Sequence, residues 1–447
     1  MEQIVLKQEQ LKQEILDKTK EYYELVHKPQ QEKEFVDGES RVNYAGRVFD
    51  DTEMRYLVDS SLDFWLTYGE YSKKFENKLS EFLNVRWTLL VNSGSSANLL
   101  AFYALTSPLL KDRQVKRGDE VITVAACFPT TITPIVQYGA VPVFVDMELI
   151  NFNIDVSQLE GALSSKTKAV MIAHTLGNPF NIKAVKAFCD KYNLWLIEDN
   201  CDALGSTYEN KLTGTWGDIG TSSFYPPHHM TMGEGGATYT DNPLLQKIML
   251  SMRDWGRDCW CDSGVDNTCN SRFSKSFGTL PKGYDHKYVY SHFGFNLKVS
   301  DMQAAVGVAQ LEKFPTFVEI RKINFKKLYN GLKDLKEFLL VETQPNSDPS
   351  WFGFLMTLKD DIKFTRNDLS QFLEDNKIQT RNLFTGNILR HPLFDKMVEN
   401  TDYRVIGELL NTDKIMNDSL WIGVYPGMGD NAIEYMIKKI KEFINAR

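Results

Sequence analysis

Apolar positions change their spacing along this chain, and each change predicts a different element. Between Glu2 and Lys28 they recur at helical spacing, at Ile4, Val5, Leu11, Ile15, Tyr22, Leu25 and Val26, beside a charged face. That spacing predicts an amphipathic arm on the body or on a partner subunit, or else a solvated helix. A second helical stretch runs from Glu70 to Phe82, and Asp50 or Asp51 is placed to cap the helix leading to Leu57. From Trp87 short continuous apolar runs take over. Trp87–Val91, Glu120–Val124, Val141–Val145, Ala169–His174 and Leu194–Glu198 are read as strands, with helices between most of them. Runs without alternation suit strands covered on both faces. This rhythm predicts an α/β fold around a mostly parallel central sheet with helices on both sides. Ala237–Thr240 and Pro243–Arg253 continue it as strand and helix, and Phe317–Leu335 as a long connecting helix. From about residue 338 the character turns to α+β: strand Trp351–Leu358, helix Arg366–Asn376, strand Gln379–Leu383.

Composition narrows the function classes. The chain has 447 residues, room for one large or two ordinary domains, and 43% of them are hydrophobic. A net charge of −8 argues against a nucleic-acid partner. No apolar run approaches the roughly 20 residues of a membrane span. The N-terminus MEQIVLKQEQLKQEIL lacks a secretory apolar region, so a cytoplasmic protein is expected. Six cysteines in such a chain point to metal or catalytic roles, not to a disulfide framework.

Two stretches carry the candidate chemistry. Asn92-Ser-Gly-Ser-Ser-Ala-Asn98 joins a strand to the apolar run Leu99–Leu105. A small-residue turn opening a helix offers backbone N–H groups and the positive end of the helix dipole to a phosphate. The second stretch, Gly220–Gly236, reads GTSSFYPPHHMTMGEGG. It holds the adjacent pair His228 and His229, and no lysine.

Both stretches resemble the DegT/DnrJ/EryC1/StrS aminotransferase family of sugar-modifying enzymes. In that family the second stretch runs Ser-Phe, a few residues, a lysine, then Gly-Glu-Gly-Gly, and the lysine forms a Schiff base with pyridoxal phosphate (PLP). His228 stands at the lysine position here, five residues after Ser223. An imidazole cannot form that bond, but with an unperturbed pKa of about 6.5 it can move a proton. A cofactor that already carries nitrogen, pyridoxamine phosphate (PMP), needs no lysine. The resemblance therefore implies PMP chemistry with His228 as the base, and His229 is its adjacent rival.

It implies the rest of the site as well. Ser95 stands where the family has a threonine; with Ser96 and Ser223 it would hold the cofactor. Phe128 would stack on the pyridine ring, and Asp199 would pair with the ring nitrogen, keeping it protonated. Trp65-Leu-Thr-Tyr-Gly69 matches a loop beside the active site. Asn296, within Tyr290–Ala305, matches a segment that reaches the neighbouring subunit's cofactor phosphate, which implies a homodimer. The implied architecture is a fold-type I PLP-dependent transferase, like aspartate aminotransferase. It would have a helical arm over 1–37, a large cofactor domain over 38–337 and a small α+β domain over 338–447. Asp202 is placed to touch the cofactor's substituents or His228. Arg381, Asn387 and Arg390 are candidates for a nucleotide pyrophosphate, because guanidinium suits phosphate oxygens.

Cys201, Cys259, Cys261 and Cys269 form the last motif. Residues 255–286 are rich in Gly, Asp, Asn and Ser, and a loop of that length is usually functional. Four thiolates suit zinc or a 2Fe–2S cluster. Cys-x-Cys is too tight for the usual zinc knuckle, which favours iron–sulfur. Cys201 lies two residues after Asp199, so a centre bound there would sit within electron-transfer reach of the ring. The 57 residues between Cys201 and Cys259 reproduce the spacing of iron–sulfur sugar dehydrases in this family. That likeness implies removal of the C3 hydroxyl from a nucleotide-linked 4-keto-6-deoxy sugar, as in 3,6-dideoxyhexose and O-antigen synthesis. It also implies an NAD(P)H-dependent flavin or iron–sulfur reductase as electron donor. Cys127 and Cys189 lie outside the pattern and are read as packing residues.

Overall fold

The continuous apolar runs become the strands of one sheet. The structure is a computed structural model that describes residues 2–261, 264 and 266–447. Asp262, Ser263 and Val265 of the cysteine-rich loop lie outside the described residues. The strands are β1 (Trp87–Val91), β2 (Glu120–Val124), β3 (Val141–Val145), β4 (Thr167–Ala173), β5 (Trp195–Asp199), β6 (Ile219–Ser223), β7 (Gly236–Thr240) and the short β8 (Arg404–Val405). They lie in the order β1-β7-β6-β5-β4-β2-β3-β8. Only β7 runs antiparallel to its neighbours; all other pairs are parallel. Strands β2, β5, β6 and β7 are buried along their whole length, as expected for a sheet covered on both faces.

Two glycines let the functional stretches meet. Ser93 caps the helix Gly94–Ala104 by accepting from the Ser96 N–H at 3.1 Å. A Cβ on Gly94 would lie 2.3 Å from the Ser223 Cβ, so the helix start can press against the end of β6 only without a side chain. Gly236 is held likewise, with a Cβ position 2.3 Å from the Ser93 carbonyl oxygen. The Gly-Glu-Gly-Gly ending thus packs its last glycine against the phosphate-type turn. Both sit at the C-terminal ends of parallel strands, where open α/β sheets bind ligands.

The N-terminal helix Glu2–Tyr22 continues through a π-helical turn, Tyr23–His27, to Gln31. Lys12 ties it to Asp59 of the helix Asp51–Asp63 at 2.7 Å, while Ile4, Val5, Leu6 and Leu11 remain exposed. Asp50 caps that second helix in a reciprocal capping box with Glu53. A three-stranded antiparallel sheet of Phe338–Leu340, Gly353–Leu358 and Ser419–Gly423 builds the C-terminal part. The helices Arg366–Asp375 and Asp430–Asn445 accompany it. No described helix is long and apolar enough to cross a membrane.

Two elements differ from the sequence reading. The connecting helix starts at Asp301, not Phe317, and runs 32 residues to Leu332 with Pro315 inside it. Ser300 and Gln303 form its capping box. Gln379–Leu383 is not a strand; only Arg381 makes a single bridge, to Trp421.

Candidate active site

A cavity of about 260 Å³ opens where β5, β6 and the helix start at Gly94 converge. Asp199, at the end of β5, is buried beneath it. Its Oδ2 accepts from Asn98 Nδ2 at 2.7 Å and from Thr131 Oγ1 at 2.8 Å, and its Oδ1 accepts from the Cys201 N–H at 3.2 Å. Thr221 in turn donates to Asn98 Oδ1 at 2.7 Å, so the amide is oriented from behind. Asn98 ends the Asn92–Asn98 motif but carried no role of its own in the sequence reading, and Thr131, three residues after Phe128, belongs to no motif. Ser95, Phe128, Asp199, Cys201, Asp202, Ser223 and His228 all line the cavity. Ser96 does not; its hydroxyl accepts from Ser93 at 3.0 Å within the cap. Asn296 is exposed and lies outside this cavity, as does Trp65.

The two histidines face different ways. His228 Nδ1 lies 2.9 Å from the Cys201 carbonyl oxygen. A carbonyl only accepts, so Nδ1 carries the proton and Nε2 keeps its lone pair. Phe352 stacks on the ring at 5.3 Å between centroids. Burial pushes the imidazole down to about 4, against the Cys201 carbonyl and Asp199, which act to raise it. His228 therefore stands neutral near pH 7. His229 is turned away, its Nε2 2.7 Å from the Ser350 carbonyl. No lysine is among the residues lining the cavity.

Asp202 lies 3.5 Å from His228 Nδ1. Burial and then Asp199 push its carboxyl well above the usual range, with Arg321 opposing. Its buried Oδ2 has no hydrogen-bond partner among the described residues, an open polar site inside the cavity. The fully buried Arg321 donates to the His228 carbonyl at 3.3 Å and to the Trp351 carbonyl at 3.2 Å, which pins the histidine turn to the small sheet. Tyr44, Phe352, Phe384 and Trp421 also line the cavity. These aromatics come from distant segments and carried no sequence signal.

Of the three polar candidates in the C-terminal part, one reaches the cavity. Arg381 lines it and packs 4.0 Å over the Tyr44 ring. Asn387 and Arg390 do not; both are taken by Asp413, at 2.6 and 2.7 Å. The four cysteines divide as well. Cys259, Cys261 and Cys269 gather with their sulfurs within 4.8 Å of one another, a donor set that suits iron–sulfur or zinc. Burial opposes ionisation of Cys261, but hydrogen bonds from Thr268, the Cys269 backbone and the neighbouring thiols bring it down to about 7. Cys201 is not in this group; it stays in the cavity beside Asp199. Cys127 and Cys189 are buried in the core.

Residues 49–441 match the DegT/DnrJ/EryC1/StrS aminotransferase family. The chain belongs to that family. The lipopolysaccharide biosynthesis protein RfbH of Salmonella typhimurium is 56% identical over 412 residues, covering 92% of this chain and 93% of that protein. The dTDP-4-dehydro-2,6-dideoxy-D-glucose 3-dehydratase of Saccharopolyspora spinosa is 47% identical, covering 97% and 92%. Among solved structures, GDP-4-keto-6-deoxymannose-3-dehydratase with bound GDP-perosamine superposes with a TM-score of 0.80 at 29% identity, covering 89% of this chain and 100% of that one. The same enzyme has been solved with hydrated PLP. The fold is that of the PLP-dependent aminotransferases.

Proposed function

We propose that this protein removes the C3 hydroxyl of a nucleotide-linked 4-keto-6-deoxyhexose, CDP-4-keto-6-deoxy-D-glucose in the first instance, with PMP as cofactor. It would act as CDP-4-keto-6-deoxy-D-glucose-3-dehydrase in 3,6-dideoxyhexose and O-antigen synthesis. The observation that carries the reading is a neutral histidine, His228, in a PLP-type cavity lined by no lysine. Relatives named as 3-dehydratases and the relative solved with PLP support it.

The cavity residues fit the cofactor. Asp199 would take the pyridine nitrogen, held in place by Asn98 and Thr131. Ser95, Ser223 and the N–H groups of the helix start would take the phosphate, with Ser96 supporting the cap. Phe128, half-exposed at the rim, would cover one ring face. Asn296 would serve the cofactor of the other protomer in a homodimer. Bound there, PMP would supply an amine for the C4 ketone and a conjugated ring through which the electron pair of the removed proton passes to the C3–O bond, where the hydroxyl leaves with it. His228 Nε2 removes the proton that frees this pair; the Cys201 carbonyl fixes the tautomer that makes it a base. The aromatic wall excludes water while the proton moves. Cys259, Cys261 and Cys269 would hold a 2Fe–2S centre, which supplies electrons singly from a reductase. Cys201 belonged to the expected ligand set as well.

The test is product analysis with His228→Asn alongside. Wild type is expected to yield a 3-deoxy sugar and the variant very little; full dehydration by the variant would refute the role of His228. The dTDP-linked substrate of the 47%-identical relative is the second substrate to assay. The GDP-linked one of the 32%-identical Escherichia coli 3-dehydratase follows.

A further inference from the structure

Arg321 is buried at 1% exposure, and among the described residues no carboxylate makes an ion pair with it. Asp202 is the charge that favours it there, from beyond contact. A buried cation without a paired anion is costly, and an apolar side chain would fill the same space at less cost. What the guanidinium holds is two backbone carbonyls. Its Nη2 donates to the His228 carbonyl at 3.3 Å and its Nη1 to the Trp351 carbonyl at 3.2 Å. A planar fork fixes the spacing of two such acceptors. One acceptor belongs to the base itself, and the other to the residue before Phe352, which stacks on the base.

His229 closes the same junction. Its Nε2 lies 2.7 Å from the Ser350 carbonyl, which only accepts, so the proton is on Nε2. Phe352 then lies against both imidazoles, at 5.3 Å from His228 and 5.9 Å from His229 between centroids. The adjacent histidines are thus held in opposite tautomers, Nδ1–H in His228 and Nε2–H in His229. The Ser350–Phe352 segment has other ties to the body. The Ser350 N–H donates to Ser206 Oγ at 2.8 Å, and Trp351 stacks on Phe325 at 3.7 Å. Anchoring the segment therefore does not account for Arg321 and His229; both of their contacts end at the histidine turn.

We propose that Arg321 and His229 are positioning residues: they clamp the His228 turn to the Ser350–Phe352 segment, and the clamp keeps the His228 ring on the Cys201 carbonyl with its lone pair on Nε2. This rests on the role of His228 in the proposed function. Nuclear magnetic resonance of full-length, cofactor-free protein labelled with ¹⁵N-histidine reads the tautomers near pH 8, where imidazoles are neutral. His228→Asn and His229→Gln assign the two residues. Turnover is measured on the cofactor-loaded proteins with the sugar nucleotide that wild type dehydrates. Wild type is expected to show His228 as Nδ1–H alone. Arg321→Met and His229→Leu are expected to mix both tautomers at His228 and to lower kcat by about 10–100-fold, as a misplaced base does, with KM nearly unchanged. His229→Gln can still donate to Ser350 and should stay close to wild type. A single Nδ1–H tautomer with unchanged kcat in Arg321→Met and His229→Leu overturns the proposal, and so does a His229→Gln variant as impaired as His229→Leu. Should Arg321→Met not fold, Arg321→Lys, which keeps the charge and one donor, takes its place and is expected to fall between wild type and His229→Leu. A wild type that dehydrates none of the sugars sinks the proposed function alone, and the tautomers then decide the clamp.

Discussion

Acid should unfold this protein partly through His228. The imidazole sits at about 4 in the folded chain because burial removes its charged form from water, against about 6.5 when unfolded. Between those values the unfolded chain binds more protons, so stability falls as pH drops through the window. Above about 6.5 the residue contributes nothing, and below about 4 its loss is complete. At 1.36 kcal/mol per pH unit the whole loss is roughly 3 kcal/mol. His229 and Asp202 also titrate abnormally, so wild type alone does not isolate the effect. His228→Asn does, because asparagine can still donate to the Cys201 carbonyl but carries no proton-binding site. Denaturant unfolding of the cofactor-free protein, at fixed protein concentration, would be followed from pH 8 to pH 4 for both. The gap between the two curves should widen toward acid by about 2–3 kcal/mol in favour of the variant. Parallel curves would refute the buried, neutral histidine and with it the argument for a ready base.

Other outcomes follow from single contacts. His228→Asn should lower turnover by about 10²–10⁴-fold while sugar-nucleotide binding persists, since general-base catalysis is worth that much; steady-state and binding assays separate the two. Asp199→Asn turns an amide toward the Asn98 and Thr131 donors and removes the charge for the ring nitrogen, so cofactor retention measured by absorbance should fall. Gly94→Ala places a methyl 2.3 Å from the Ser223 Cβ; calorimetry should show a loss of about 1–3 kcal/mol, with weaker phosphate binding. Ser93→Ala removes the cap and should cost about 1 kcal/mol by the same method.

Where a residue's role follows from its neighbours in sequence, the chain was legible. Continuous apolar runs such as Val121–Val124 have one good placement, inside a covered sheet, and that is where they lie. The histidine in place of lysine was visible because the Ser-Phe and Gly-Glu-Gly-Gly flanks set its position. Helix starts next to prolines were less legible. The expected start at Phe317 falls two residues after Pro315, yet the Ser300–Gln303 capping box starts the helix earlier and the chain continues through the proline. Long-range partners left no trace. Asp413 claims Asn387 and Arg390 from over 20 residues away, which no local pattern announces. Arg381 kept its place in the cavity through one bridge to Trp421, not through a strand. The cysteine spacing pointed to a centre, and Cys259, Cys261 and Cys269 gather as that requires, while the place of Cys201 in the cavity exists only in the fold.

The measurement closest to the central claim is mass analysis of the sugar after incubation with PMP-loaded protein, CDP-4-keto-6-deoxy-D-glucose and a reductase with NAD(P)H. The account predicts a product lighter by one oxygen atom, lost from C3, with no nitrogen gained from glutamate. An amino sugar formed with glutamate as donor would contradict it and return the protein to transamination.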